Sequence, residues 1–175
     1  MDLSFGPEYD DFRGEVVTFL ANNADKAPKG GDLRGQQAKD WQKLLIENGY
    51  TCRTIPKEFG GYGAEPDIIK TRIIAEEFSK ARINTGLGGQ GISMLVPTLL
   101  EMGTQEQKEH FIRPTIMGDM IWCQGYSEPG AGIDLAALST AAVLDGDEWV
   151  INGQKIWTST AHGADGIVGV VRSVP

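Results

Sequence analysis

Apolar positions in the first two thirds of the chain recur at helical spacing. From Pro7, the residues Phe12, Val16, Phe19 and Leu20 share one face while Asp10, Asp11 and Glu15 fall elsewhere, which predicts an amphipathic helix. The tract NNADKAPKGGDLRG that follows is a loop by composition. A second helix around Trp41, Leu44 and Leu45 should stop at Asn48-Gly49, where a left-handed cap is available. The prolines and glycines of RTIPKEFGGYGAEPD forbid a long regular element, and Ile69, Ile73, Ile74 and Phe78 then mark a third helix. Gly91 to Met102 forms a fourth, with Leu95, Leu99 and Leu100 apolar, and Pro97 is tolerated there if it lies in the first turn. Gly103 closes it, and TQEQ, Thr104 to Gln107, is a capping box that opens a fifth helix running through Phe111 and Ile112 and ending before Pro114.

Past Gly118 the period shortens. MIWCQGY is β-prone, and AAVLDGDEWVINGQKIWTST carries two hairpin signals, Asp145-Gly146 and Asn152-Gly153, which together predict three short antiparallel strands. GIVGVVR, Gly166 to Arg172, reads as one further strand. The expected fold is α+β: an all-α domain over residues 1–118, then an antiparallel β domain, a partial β-barrel, over residues 119–175. A few hairpins alone would leave edges and an apolar face bare, so they either pack on the helices or belong to the front part of a longer protein.

Charge narrows the function classes. A formal net charge of −8 over 175 residues argues against binding to nucleic acid or to an anionic membrane surface, both of which need a basic excess. Any anionic ligand must be held locally, by backbone amides or a few side chains. Cys52 and Cys123 are too far apart in sequence to suggest a disulfide framework and read as small buried hydrophobes. The start MDLSFGPEYDD lacks the features of a secretory signal, and no apolar run is long enough to insert in a membrane, so a cytoplasmic location is expected.

Several candidate motifs reduce to ordinary structure. GLGGQG, Gly86 to Gly91, matches a dinucleotide fingerprint in letters, but a helix precedes it where a strand is required, so it reads as a flexible loop bordering a pocket. His110 and His162 have no further ligand at metal-binding spacing. Ser127, Ser139 and Ser159 lack a nucleophile elbow. Glu76 and Glu77 are adjacent on a helix, so they point about 100 degrees apart and do not converge as an acid and base.

Two stretches rise above that background together. WCQGYSEPGAGID, Trp122 to Asp134, places a polar glycine-rich turn directly after a strand, where backbone N–H groups can face an anion. NGQKIWTS, Asn152 to Ser159, is expected to project Trp157 and Ser159 on one side by strand alternation, an aromatic plane and a hydroxyl suited to a flat heteroaromatic ligand. By the same alternation Gln124 and Tyr126 face one side of the earlier strand, Gly125 and Ser127 the other.

With PKEFGGYG, PTLLEMGTQEQKEHFIRPTIMGD, IWCQGYSEPGAGIDLAAL and WVINGQKIWTS in this order and spacing, the chain resembles the acyl-CoA dehydrogenase family over nearly its whole length. The resemblance implies a helical N-terminal domain, a β-barrel-like middle domain that holds the isoalloxazine of FAD, and a C-terminal four-helix bundle. By matching positions it implies that Gln124, Tyr126 and Ser127 contact the flavin, with Ser127 at its pyrimidine end. Trp157 would pack beside the ring with Thr158 next to it, and Ser159 would donate toward N5. Gly132 and Ile133, at the end of the turn from Pro129, would lie near the phosphates, and Gly91, Ser93 and Ile133 would line the acyl-CoA site.

Two departures follow. The family commonly has a serine where this chain has Ile133, so one hydrogen bond to an anion, worth roughly 1.5–3 kcal/mol, is missing. The family's catalytic glutamate lies in the C-terminal bundle, so no residue up to Pro175 is named as the base. The resemblance thus implies the N-terminal portion of an FAD-dependent enzyme that oxidises acyl-CoA to trans-2-enoyl-CoA and passes electrons to an electron-transfer flavoprotein, in a homo- or hetero-oligomer. The alternative is a non-catalytic, heteromer-forming subunit of the same fold.

Overall fold

A computed structural model describes residues 6–29, 35–132 and 134–174. Five α-helices come first: α1 Pro7–Asn23, α2 Gln36–Glu47, α3 Ile68–Ala81, α4 Val96–Met102 and α5 Gln105–Ile116. Five short strands follow: β1 Trp122–Gly125, β2 Ala141–Asp145, β3 Glu148–Asn152, β4 Gly166–Gly169 and β5 Arg172–Val174. The architecture is therefore a helical domain followed by a small β region. By contacts the chain forms two compact units. Unit 1 takes in the described residues up to Leu87 together with Ile112–Gly118, and unit 2 takes in Gly88–Phe111 and the residues from Asp119 onward.

Unit 1 is built on the apolar stripes that the periodicity marks. Val16, Phe19 and Leu20 of α1, Trp41 and Leu45 of α2, and Ile73, Ile74 and Phe78 of α3 form one buried cluster. Tyr50 stands at its edge, with its ring centroid 4.6 Å from that of Phe19 and 5.9 Å from that of Phe78. α2 stops as expected. Gly49 takes φ 71 and donates to Ile46 O at 3.0 Å while Tyr50 N donates to Leu45 O at 2.9 Å, the paired bonds of a left-handed C-terminal cap. The side chain of Gln42, 0% exposed, ties two distant segments: Nε2 donates to Ile116 O at 2.7 Å, and Oε1 accepts from Leu87 N at 2.8 Å.

The capping box forms with both reciprocal bonds, Thr104 N to Gln107 Oε1 at 2.9 Å and Gln107 N to Thr104 Oγ1 at 3.2 Å. Pro114, however, does not end α5, which runs on to Ile116. A proline so near the end loses only the bond its missing N–H would give to the carbonyl of His110. Ile112 and Ile116, both 0% exposed, and the amide of Gln42 hold the final turn in place. The fourth helical segment also differs from expectation: Gly91–Leu95 is a π-helical turn that leads into α4.

In unit 2 the described strands form two small open sheets, β1-β4 and β3-β2-β5. The pairing is mixed, where hairpin signals alone predict antiparallel neighbours. β2 and β3 form the one antiparallel pair, around Gly146-Asp147 with Gly146 at φ 62, whereas β1-β4 and β2-β5 are parallel. Gly166 to Arg172 is not one strand. Val170 N donates to Gly125 O at 3.3 Å and Arg172 N to Thr140 O at 2.9 Å, so the chain leaves one sheet and joins the other at this point.

The third strand expected over Lys155 to Ser159 is also absent, for no residue of 153–159 is in a strand. Past Gly153 the chain leaves the sheet because its hydrogen bonds go elsewhere: Ile156 N donates to Ser127 O at 2.9 Å, and the Lys155 side chain turns into the interior.

Candidate functional site

β1 brings the chain to the site and Gly125 ends it. A Cβ at Gly125 would lie 2.5 Å from Ile167 Cδ1, the movable end of a side chain, so a larger residue there would make that side chain turn aside. Tyr126 and Ser127 leave the ladder, and their carbonyls are taken by the other half of the site. Tyr126 O accepts from Lys155 Nζ at 3.2 Å and Ser127 O from Ile156 N at 2.9 Å. Two stretches that lie far apart in sequence are thus fastened backbone to backbone.

Glu128 begins the turn that follows. Its N–H donates to Ala131 O at 2.8 Å and its carbonyl accepts from Ala131 N at 3.2 Å, which leaves Pro129 and Gly130 exposed at the tip. Neither Gly130 nor Gly132 takes a positive φ, and a Cβ on either would meet nothing within 4 Å. Nothing in the described packing requires these two positions to lack a side chain.

Glu128 is buried, only 3% exposed. Its Oε2 accepts from Ser139 N at 2.6 Å and Ser139 Oγ at 2.7 Å, and its Oε1 from Thr140 N at 2.9 Å and Lys155 Nζ at 2.8 Å. Lys155 completes its three N–H bonds on Tyr126 O and, at 2.6 Å, on Val170 O. These donors, Lys155 first and then Thr140 and Ser139, hold the carboxyl well below the usual carboxylate range. No periodicity or motif pairs two charges 27 residues apart in sequence.

Trp157 is the second exposed feature. Its side chain is 85% exposed and its backbone takes φ 57, a left-handed conformation costly for a bulky residue. Trp157 and Ser159 therefore do not alternate along a strand. Ser159 N donates back to Trp157 O at 3.0 Å in a turn, and Thr160 follows at φ 67. Ser159 is exposed, and Thr158 half-buried with its carbonyl accepting from Ala161 N at 3.2 Å.

Gln124 sits in β1 opposite Val168 of β4, half-buried. Gly91 is buried and Ser93 exposed in the π-helical turn that packs on β4, and the Ser93 hydroxyl donates to Gly89 O at 2.9 Å. Ile133 lies outside the described residues. The structure thus fastens the segment of Tyr126 and Ser127 to that of Trp157 and Thr158, and sets Gly91 and Ser93 on the strand beside β1.

The model of the acyl-CoA dehydrogenase N-terminal domain matches residues 6–119, and that of the acyl-CoA dehydrogenase middle domain matches residues 123–174. The chain belongs to the acyl-CoA dehydrogenase family. It is similar to the acyl-CoA dehydrogenase IpdE1 of Mycobacterium tuberculosis, 40% identical over 164 residues that cover 89% of this chain and 42% of the relative. Among solved structures it resembles the ChsE4-ChsE5 complex from Mycobacterium tuberculosis, with TM-score 0.71 and 33% identity over 100% of this chain and 45% of that one. It also resembles the Tcur3481-Tcur3483 steroid ACAD, with TM-score 0.70 and 34% identity over 100% of this chain and 46% of that one. The chain spans less than half the length of these relatives.

Proposed function

We propose that the chain is the front portion of an FAD-dependent acyl-CoA dehydrogenase, a helical domain over residues 1–118 and a middle β domain over residues 119–175, acting in the cytoplasm. One observation carries this reading: the backbone of Tyr126 and Ser127 is pinned beside a loop that holds the Trp157 ring 85% exposed on a strained backbone. An aromatic ring held away from its own chain is a platform for a planar partner.

The residues present fit the flavin. Gly130 and Gly132 leave open space where a diphosphate would approach backbone amides, as an acidic chain requires of an anion site. Gln124, Tyr126 and Ser127 would meet the ring system from one side, Trp157, Thr158 and Ser159 from the other, with Gly132 and Ile133 near the phosphates. Bound FAD would supply the hydride acceptor for oxidation of the Cα–Cβ bond of the thioester to the trans-2-enoyl product. This chain's own part is to orient: Trp157 would exclude water from one side of the ring, and the Ser159 hydroxyl would donate at its edge. Gly91, Ser93 and Ile133 would border the acyl-CoA. Electrons would leave to an electron-transfer flavoprotein, and the similarity to a steroid ACAD favours a bulky acyl group.

Both solved structures named above carry paired component names, which supports a heteromer and a second reading, a subunit that keeps the fold while its partner performs the chemistry. FAD titration of the 175-residue chain, followed by flavin fluorescence and visible absorption, tests the first. Retained flavin that bleaches on adding an acyl-CoA, alone or with a partner chain, supports it, whereas a chain that stays colourless under both conditions overturns it.

A further inference from the structure

The loop from Pro129 to Leu138 begins at Glu128 and ends at Ser139 and Thr140, and one carboxylate holds both ends. Glu128 immediately precedes the loop, and its two oxygens accept from Ser139 N, Ser139 Oγ and Thr140 N just past its far end. The same carboxylate takes Lys155 Nζ at 2.8 Å, whose other two donors reach Tyr126 O and Val170 O. Four chain segments therefore meet at one buried knot: the exit of β1 where the loop begins, the far end of the loop, the approach to Trp157, and the point where the chain changes sheets.

We infer that Glu128 and Lys155 are positioning residues for the flavin, tying the start of the Pro129–Gly132 turn, the Ser139–Thr140 backbone and the Tyr126–Ser127 backbone into the binding conformation before any ligand arrives. This rests on the reading of the site as a flavin site. The two side chains are 2% and 12% exposed and every donor of Lys155 is spent on the protein, so neither is free to touch a ligand. A buried ion pair is a weak device for stability, since an apolar pair of the same volume does as well or better. What an apolar pair cannot do is bond four backbone carbonyl or amide groups, those of Ser139, Thr140, Tyr126 and Val170, and so choose one loop geometry. The bare positions Gly130 and Gly132 sit inside that stapled loop, where fixed amides would spare a ligand the entropy of ordering them.

The test uses the 175-residue chain with Glu128→Gln, Lys155→Met and the double variant, read by amide hydrogen exchange without ligand and by FAD titration. Glu128→Gln turns one acceptor oxygen into a donor, and Lys155→Met keeps the stem but removes all three donors. In each single variant exchange at Ser139, Thr140 and Ile156 is expected to quicken by roughly tenfold or more while α2 keeps its protection. FAD affinity is expected to fall roughly tenfold. The double variant, freed of any unpaired buried charge, should recover its melting temperature but neither the loop protection nor the affinity.

Unchanged exchange across residues 128–140 in the single variants overturns the proposal. So does a double variant that binds FAD like the parent, or one that fails to fold, which would make the pair a plain requirement of the fold. Should the parent chain bind no FAD, the flavin reading falls by itself, and the exchange data still decide whether the knot holds the loop.

Discussion

The N–H of Ile156 donates to the carbonyl of Ser127 at 2.9 Å, and this bond joins the second residue after β1 to the residue before the exposed Trp157. Side chains on both flanks of that bond are the ones a planar ligand would meet.

Trp157 separates ligand binding from folding. Trp157→Gly relieves about 1–2 kcal/mol of left-handed strain against about 0.5–1 kcal/mol of added freedom in the unfolded chain. Thermal melting should show a stability equal to the parent or up to about 1.5 kcal/mol higher. Flavin fluorescence titration should show a markedly weaker complex, and a variant that binds FAD like the parent would remove Trp157 from the site.

The glycines divide by cause. Gly61→Ala drives a Cβ to 2.2 Å from the backbone carbonyl oxygen of Ile55, which cannot turn aside, and should cost about 1–3 kcal/mol in urea unfolding. Gly132→Ala meets nothing within 4 Å, so it should melt with the parent and lose FAD affinity. Parent-like affinity in Gly132→Ala would mean no ligand approaches that backbone.

Gln42→Leu keeps volume and deletes both polar ends. The Ile116 carbonyl and the Leu87 N–H would lose their partners inside unit 1, at about 2 kcal/mol or more between them. Denaturant midpoints check this, and a loss under about 0.5 kcal/mol would show that water or relaxation satisfies both groups.

Acid should expose Glu128. Its carboxyl is held well below the usual range in the folded chain, by Lys155 above all, so its contribution is fully present above the unfolded value and is lost as pH falls through the folded one. The stability gap between the parent and Glu128→Gln should be level from neutral pH to about pH 5 and shrink only below about pH 4. Urea unfolding across that range measures it, and a gap that grows on acidification contradicts the ion pair.

Helix positions were legible because burial on one side of a helix writes a period into the chain. Val16, Phe19 and Leu20, then Ile73, Ile74 and Phe78, recur every three or four residues and all reach the core. The caps at Gly49 and Thr104 were legible too, since each answers a local need of a helix end. Pro114 misled because a proline states a backbone preference, while the buried Ile116 beyond it states a tertiary one.

The strands were less legible. Asn152-Gly153 carries a hairpin signal, yet Lys155 is drawn to Glu128 and Ile156 to Ser127, and these distant partners outweigh the turn. By itself the sequence determined the helices, their ends, the apolar faces and the family to which the motifs belong, because each depends on neighbours a few residues apart. Only the tertiary structure decided that Trp157 stands out on a left-handed backbone and that Glu128 and Lys155 share one buried knot, because both depend on hydrogen bonds between segments that no local pattern relates.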